Sequence, residues 1–128
     1  MPVGLDKRYS CFIVGPVLIA SHGMGGPSIT SLLHEIGKLL KYSKSSATWI
    51  RLGTCGGIGI EPGTIVITDQ SLNGSLEPYH TNIVLGRRVM RTAIFNEEVN
   101  NKLYAVCKNL GFKAARGKTM CADDFYEG

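Results

Sequence analysis

Residues 23–43 carry apolar side chains at a helical spacing, and short apolar runs lie on both sides of this segment. In GMGGPSITSLLHEIGKLLKYS, residues 23–43, apolar side chains recur at the i, i+3, i+4 spacing of one helical face. Pro27 suits the first turn of a helix, where its missing N–H leaves no hydrogen bond unmade. The spacing predicts an amphipathic helix whose buried face comprises Ile29, Leu32, Leu33, Ile36, Leu39 and Leu40.

Strand-like runs lie on both sides of this helix. Residues 8–21 read as two strands broken at Gly15-Pro16, which predicts a hairpin. The runs TWIRLGT (48–54), TIVIT (64–68) and FKAARGKTMCA (112–122) predict three further strands. Residues 69–95 carry turn signals without a clear period, so they predict irregular structure.

A second helix is predicted between residues 96 and 111. Asn96 is a favourable N-cap, Glu97 and Glu98 suit the first turn, and Gly111 suits the end of the helix. Strands that alternate with helices predict an α/β layered fold. The expected core face of this helix comprises Val99, Leu103, Val106 and Leu110, with Cys107 beside them.

Charge narrows the class of ligand. The 128 residues carry a formal net charge of +4, which favours anionic ligands. The basic residues are scattered, and the densest cluster, Arg87, Arg88 and Arg91, has no interleaved aromatic residues, so we expect no nucleic-acid partner. No apolar run approaches the roughly 18–20 residues of a membrane span, so we expect no membrane partner. A small anion is left as a possible ligand, and phosphate is the commonest such anion.

Cysteine and histidine positions give little sign of metal or disulfide chemistry. The four cysteines form no C-x-x-C pair, which favours reduced thiols in the cytosol. His22, His34 and His80 are not spaced with cysteines or carboxylates as a metal shell would be, so no metal site is predicted.

Two glycine loops are better candidates for a site. SHGMGGPS (21–28) leads into the first helix, and RLGTCGG (51–57) follows a predicted strand. Glycines allow positive φ and a close backbone approach, and successive N–H groups form concavities that bind anions. Arg51 would add a planar cation that matches the geometry of phosphate. The same pattern also fits a structural turn with a salt-bridged arginine, and spacing alone does not decide between the two.

Three motifs, in the same order along the chain, resemble those of the uridine phosphorylases in the nucleoside phosphorylase superfamily. They are SHGMGGPSITSLLHEIGKLL (21–40), WIRLGTCGGIGIEPGTIVITD (49–69) and GKTMCADDFYEG (117–128). The resemblance runs from about Arg8 to Gly128. It implies a three-layer α/β fold with a mixed central sheet flanked by helices, of which residues 1–128 would form a single partial domain.

The resemblance also implies an activity. Uridine phosphorylases cleave uridine, and deoxyuridine, with phosphate to give uracil and the sugar 1-phosphate, in pyrimidine nucleoside catabolism and salvage. Phosphate is then a co-substrate, and no cofactor is expected. Because family members are considerably longer, the chain is expected to be a fragment or an incomplete gene product that is inactive alone. A purine nucleoside phosphorylase and a non-catalytic relative that retains the fold are the alternatives.

Site residues follow from the resemblance position by position. It implies a phosphate site formed by Arg8, Arg51, Leu52, Gly53 and Thr54, with Arg51 and Thr54 as the catalytic residues. Arg8 would reach the site of a neighbouring subunit, which implies a homodimer or a larger homo-oligomer. The implied nucleoside site comprises Thr54, Cys55, Gly56 and Phe125, where the cysteine replaces a usual serine or threonine.

Overall fold

The first elements along the chain are a hairpin and a helix. The structure is a computed structural model that describes residues 8–124 and 126. Its contacts divide the chain into two units, Met1–Gly53 and Thr54–Gly128. In the first unit, β1 (Cys11–Val14) and β2 (Val17–Ala20) pair antiparallel around Gly15, whose φ is +56°. The predicted hairpin is confirmed.

Helix α1 (Gly26–Tyr42) confirms the predicted helix and part of its buried face. Leu32 is buried, with 7% of its surface exposed, whereas Leu33 and Leu39 are 44% and 68% exposed. Ile29, Ile36 and Leu40 are half-buried, so the predicted buried face is wrong in part. The physical reason is that no strand in that part of the chain packs against α1.

The segment 48–54, predicted to be a strand, is irregular. A strand exists through hydrogen bonds to a neighbouring strand, and none of the described residues pairs with this segment. The apolar residues Ile50 and Leu52 are accordingly exposed. The strand prediction is wrong, and Arg51 lies in an irregular segment rather than at the end of a strand.

The second unit is built on a parallel pair of strands joined by a hairpin and a helix. The elements are β3 (Ile65–Leu72), β4 (Tyr79–Val84), β5 (Arg87–Thr92), α2 (Glu97–Asn109) and β6 (Ala114–Met120). Strand β3 pairs parallel with β6, β4 pairs antiparallel with β5, and α2 packs on β3 and β6. Parallel and antiparallel pairing with helices confirms the α/β class. The described residues form three two-stranded sheets.

The prediction of irregular structure for residues 69–95 is wrong. Strand β3 continues to Leu72, and β4 and β5 form a hairpin whose turn residues, Leu85 and Gly86, have φ of +48° and +76°. Such a turn usually carries asparagine or aspartate before the glycine. Leucine at that position is not a recognisable turn signal, so the hairpin was not predicted.

Helix α2 is hydrogen-bonded to β3 beside a β-bulge at Asp69. The register passes from Thr68 opposite Gly117 to Gln70 opposite Lys118, so Asp69 is the extra residue. The Thr68 carbonyl accepts a hydrogen bond of 2.9 Å from the side-chain nitrogen of Asn100. Because a bulge disrupts the local ladder, this side chain satisfies a carbonyl beside the irregularity.

Helix α2 begins as predicted, but its packing face differs. The Asn96 side chain accepts a 3.1 Å hydrogen bond from the Val99 amide, which confirms the N-cap. The buried residue of the helix is Asn100, 8% exposed, whereas Val106 and Leu110 are more than half exposed. The predicted core face is thus wrong in part, because the helix turns its polar Asn100 towards the bulge.

Arg116 of β6 completes the polar attachment of α2. Its Nε and Nη2 donate to one carboxylate oxygen of Asp69, at 2.8 and 2.6 Å, and its Nη1 donates to Asn101 at 2.6 Å. The hydrogen bond to Asp69 raises the pKa of Arg116 above its ordinary value.

Of the helices in the described chain, none is long and apolar enough to cross a membrane.

Candidate functional site

Arg51 is held by a hydrogen bond to His22. Its Nε donates to the Nε2 of His22 over 3.3 Å, which connects the irregular segment after α1 with the glycine loop before it. Both residues belong to the first unit. Within residues 8–124 and 126, no carboxylate forms an ion pair with Arg51. A structural turn with a salt-bridged arginine is therefore not what the described residues form.

Gly53 leaves room for the guanidinium. A Cβ at this position would lie 3.3 Å from both Nη1 and Nη2 of Arg51 and 3.4 Å from Cζ. Contacts this short would force the guanidinium to move. Because the three distances are nearly equal, a side chain at position 53 would lie over the face of the Arg51 guanidinium, on the side of its two terminal nitrogens.

The glycine loop before α1 is folded tightly. Gly23 and Gly25 have φ of +69° and +83°, a conformation that glycine adopts without strain. The Ser28 hydroxyl donates to the carbonyl of His22, and a Cβ at Gly23 would lie 3.0 Å from that hydroxyl. The loop therefore ends at the start of α1, where free N–H groups and the helix dipole favour an anion.

Arg8 lies beside α1 in the same unit. Its Nη1 is 3.3 Å from a carboxylate oxygen of Glu35, and both side chains are more than half exposed. The neighbouring Tyr9 hydroxyl donates to the carbonyl of Ser28 over 3.0 Å, which fixes this segment against the start of the helix. A role for Arg8 in a second subunit stays a prediction.

Of the residues predicted to contact the nucleoside, two line one cavity in the second unit. Cys55 and Gly56 belong to a cavity of about 310 Å³ that also includes Ile60 and Glu61. Thr54 lies in the same unit but does not line this cavity. Phe125 lies outside the described residues.

The predicted phosphate residues are divided between the units. Arg51, Leu52 and Gly53 end the first unit, and Thr54 begins the second. Leu52 is 88% exposed. Sequence reasoning missed His22; its position within the glycine loop was the available signal.

The part of the chain that the structure describes contains no group of three or more histidine, cysteine or acidic side chains able to hold a metal ion. A second cavity, lined by Asp69, Phe95, Glu97, Asn100 and Arg116, surrounds the bulge. Since Asp69 and Arg116 are paired with each other there, we interpret this cavity as part of the structural attachment of α2.

Comparison with known proteins gives a consistent picture. Residues 3–128 match the family model of the phosphorylase superfamily. Over 123 residues the chain is 46% identical to uridine phosphorylase 1 of Mus musculus, covering 94% of this chain and 40% of that protein. It is 40% identical over 127 residues to a Schistosoma mansoni protein named inactive uridine phosphorylase B, covering 97% of this chain and 43% of that one.

The structural comparison agrees. The fold matches the crystal structure of uridine phosphorylase from Schistosoma mansoni in complex with uracil, with a TM-score of 0.93 and 40% sequence identity. The match covers 99% of this chain and 45% of that one. The chain thus spans about two fifths of the length of the relatives it matches.

Proposed function

Because this chain belongs to the phosphorylase superfamily, we propose that the full-length protein is a uridine phosphorylase. It would convert uridine, and deoxyuridine, with phosphate into uracil and the sugar 1-phosphate, in pyrimidine nucleoside catabolism and salvage. The similarity to uridine phosphorylases over nearly the whole chain supports this specificity.

The arrangement around Arg51 carries the proposal. The guanidinium is bound at Nε by His22, has Gly53 close to its face, and has no carboxylate partner among the described residues. An arginine whose two terminal nitrogens are not paired with a carboxylate can bind an oxyanion through two parallel hydrogen bonds. We therefore assign phosphate binding to Arg51. The resemblance to uridine phosphorylases supports a catalytic role for Thr54 and a place for Leu52 and Gly53 in the phosphate site.

The reaction then follows from charge and position. A phosphate oxygen attacks C1′, the glycosidic C–N bond breaks, and its electron pair leaves with uracil. The transition state resembles an oxocarbenium ion, so a phosphate dianion held close to C1′ stabilises it. Cys55, Gly56 and Phe125 would contact the nucleoside. Phosphate is itself the nucleophile and no redox change occurs, so the proposal includes no metal and no cofactor.

We further propose that the protein is a homodimer or a larger homo-oligomer in the cytosol. Arg8 would then leave its exposed ion pair with Glu35 and bind phosphate in the site of a neighbouring subunit. The four free cysteines support a reducing compartment.

The experiment that tests the function compares two nucleosides. We expect the full-length protein to release uracil from uridine only when phosphate is present, and to release no hypoxanthine from inosine. Release of hypoxanthine instead would identify a purine nucleoside phosphorylase.

A non-catalytic role is the second candidate, because one relative, 40% identical, is named an inactive uridine phosphorylase. Such a protein would keep the fold without turnover. Thermal stabilisation by phosphate and uridine, with no uracil released at any protein concentration, would support this role and contradict the catalytic proposal.

A further inference from the structure

We propose that His22 is a positioning residue that fixes the guanidinium of Arg51 for phosphate. Its imidazole accepts a hydrogen bond from Arg51 Nε and thereby sets the plane in which the two terminal nitrogens meet an oxyanion. The inference rests on the proposed function, since it concerns the same phosphate site.

The direction of the hydrogen bond follows from the two side chains. Arginine has five N–H donors and no acceptor, so His22 must accept at Nε2, 3.3 Å from Arg51 Nε. A ring that accepts at Nε2 and is neutral carries its proton on Nδ1. Among the described residues, Arg51 is thus held through Nε alone, and neither Nη group has a hydrogen-bond partner there.

The other ring nitrogen indicates why the histidine is there. Nδ1 of His22 is buried and has no hydrogen-bond partner within the described part of the chain. Buried polar atoms are nearly always paired, and an unpaired one in a native structure calls for an explanation. If His22 served only for packing, its buried and unpaired Nδ1 would have no compensation. If His22 orients Arg51, the hydrogen bond at Nε2 is the compensation.

The backbone, rather than Nδ1, places the ring. The carbonyl of His22 accepts a hydrogen bond from the Ser28 hydroxyl, and Gly23 follows with a φ of +69°. The imidazole is therefore presented by a loop that is anchored to the start of α1. The guanidinium of Arg51 thus occupies a slot formed by His22 and Gly53. Any Cβ at position 53 would contact both Nη atoms of Arg51.

This geometry predicts a specific kinetic effect. Restricting the guanidinium before phosphate arrives removes an ordering step from binding. Loss of the imidazole should therefore weaken phosphate binding and leave uridine binding unchanged. A purely structural histidine would affect both substrates, or the stability of the fold, together.

The test uses three substitutions of His22 and one control substitution in the full-length protein. His22→Ala should raise the KM for phosphate about tenfold, with the KM for uridine changed less than about twofold. His22→Gln places an amide oxygen near the position of Nε2 and should restore the phosphate KM to within about threefold of wild type, whereas His22→Asn is too short and should resemble alanine. His34→Ala, on the exposed face of α1, is the matched control and should change neither constant.

Calorimetric titration of inorganic phosphate separates this inference from the proposed function, because it requires no turnover. If the protein releases no uracil but binds phosphate about tenfold more weakly after His22→Ala, the function is wrong and the positioning role holds. If His22→Ala prevents folding, the comparison of His22→Gln with His22→Asn decides. Equal phosphate affinity in those two variants, a parallel loss of both substrates, or a wild-type protein that binds no phosphate overturns the proposal.

Discussion

Replacement of Asn100 by alanine should destabilise the protein through one identifiable hydrogen bond. The Asn100 side chain is 8% exposed and donates to the Thr68 carbonyl over 2.9 Å, beside the β-bulge. Alanine removes the donor to this part-buried carbonyl, which costs about 1–3 kcal/mol. The higher helix propensity of alanine returns up to about 0.7 kcal/mol. We therefore expect a net loss of about 1–2 kcal/mol in the free energy of unfolding.

Guanidinium chloride unfolding of the full-length protein measures this loss. Asn109→Ala, at an exposed position of the same helix, is the matched control, because it changes the same chemical group and keeps the propensity gain. Asn100→Leu restores much of the volume without the donor and should remain destabilised. A difference below about 0.5 kcal/mol between Asn100→Ala and Asn109→Ala would refute the assignment, since one buried hydrogen bond should contribute more.

Three further predictions concern the site and the surface. Gly53→Ala should raise the KM for phosphate about 3–10-fold by displacing the guanidinium of Arg51, whereas Gly74→Ala, which meets open space, should not; equal effects would contradict the proposed slot. Mixed oligomers of Arg8→Ala and Arg51→Ala chains should regain part of the activity, and mixtures as inactive as either parent would show that Arg8 does not act in a second subunit. Glu61→Gln should change the free energy of unfolding by less than about 1 kcal/mol because its ion pair is exposed, and a loss above about 2 kcal/mol would show a buried role.

Local signals predicted the elements that local interactions stabilise. The cap at Asn96, the leucine period of α1 and the break at Gly15 all lie within a few residues of the structure they specify. The strand expected at 48–54 depends instead on a neighbouring strand, which the described residues do not supply. The bulge at Asp69 was equally hidden, because it becomes visible only when β3 is paired with β6.

The candidate site was predictable in the same uneven way. Arg51 and Gly53 are recognisable in the sequence because a charged residue lies two positions before a glycine. His22 is 29 positions from Arg51, and no spacing rule joins a loop before a helix to an irregular segment after it. Only the folded chain shows that His22 and Arg51 are joined by a hydrogen bond.

The most direct test of the account is the effect of Arg51→Ala on kcat/KM for phosphate in the full-length protein, with the exposed Arg88→Ala as control. Loss of a charge-assisted, two-point contact should reduce transition-state stabilisation by about 2–4 kcal/mol, or about 30–1000-fold in kcat/KM. Arg88→Ala should leave the value within about twofold, and circular dichroism should show the same fold for both variants. A decrease of less than about fivefold for Arg51→Ala, roughly 1 kcal/mol, would contradict the assignment of phosphate binding to Arg51.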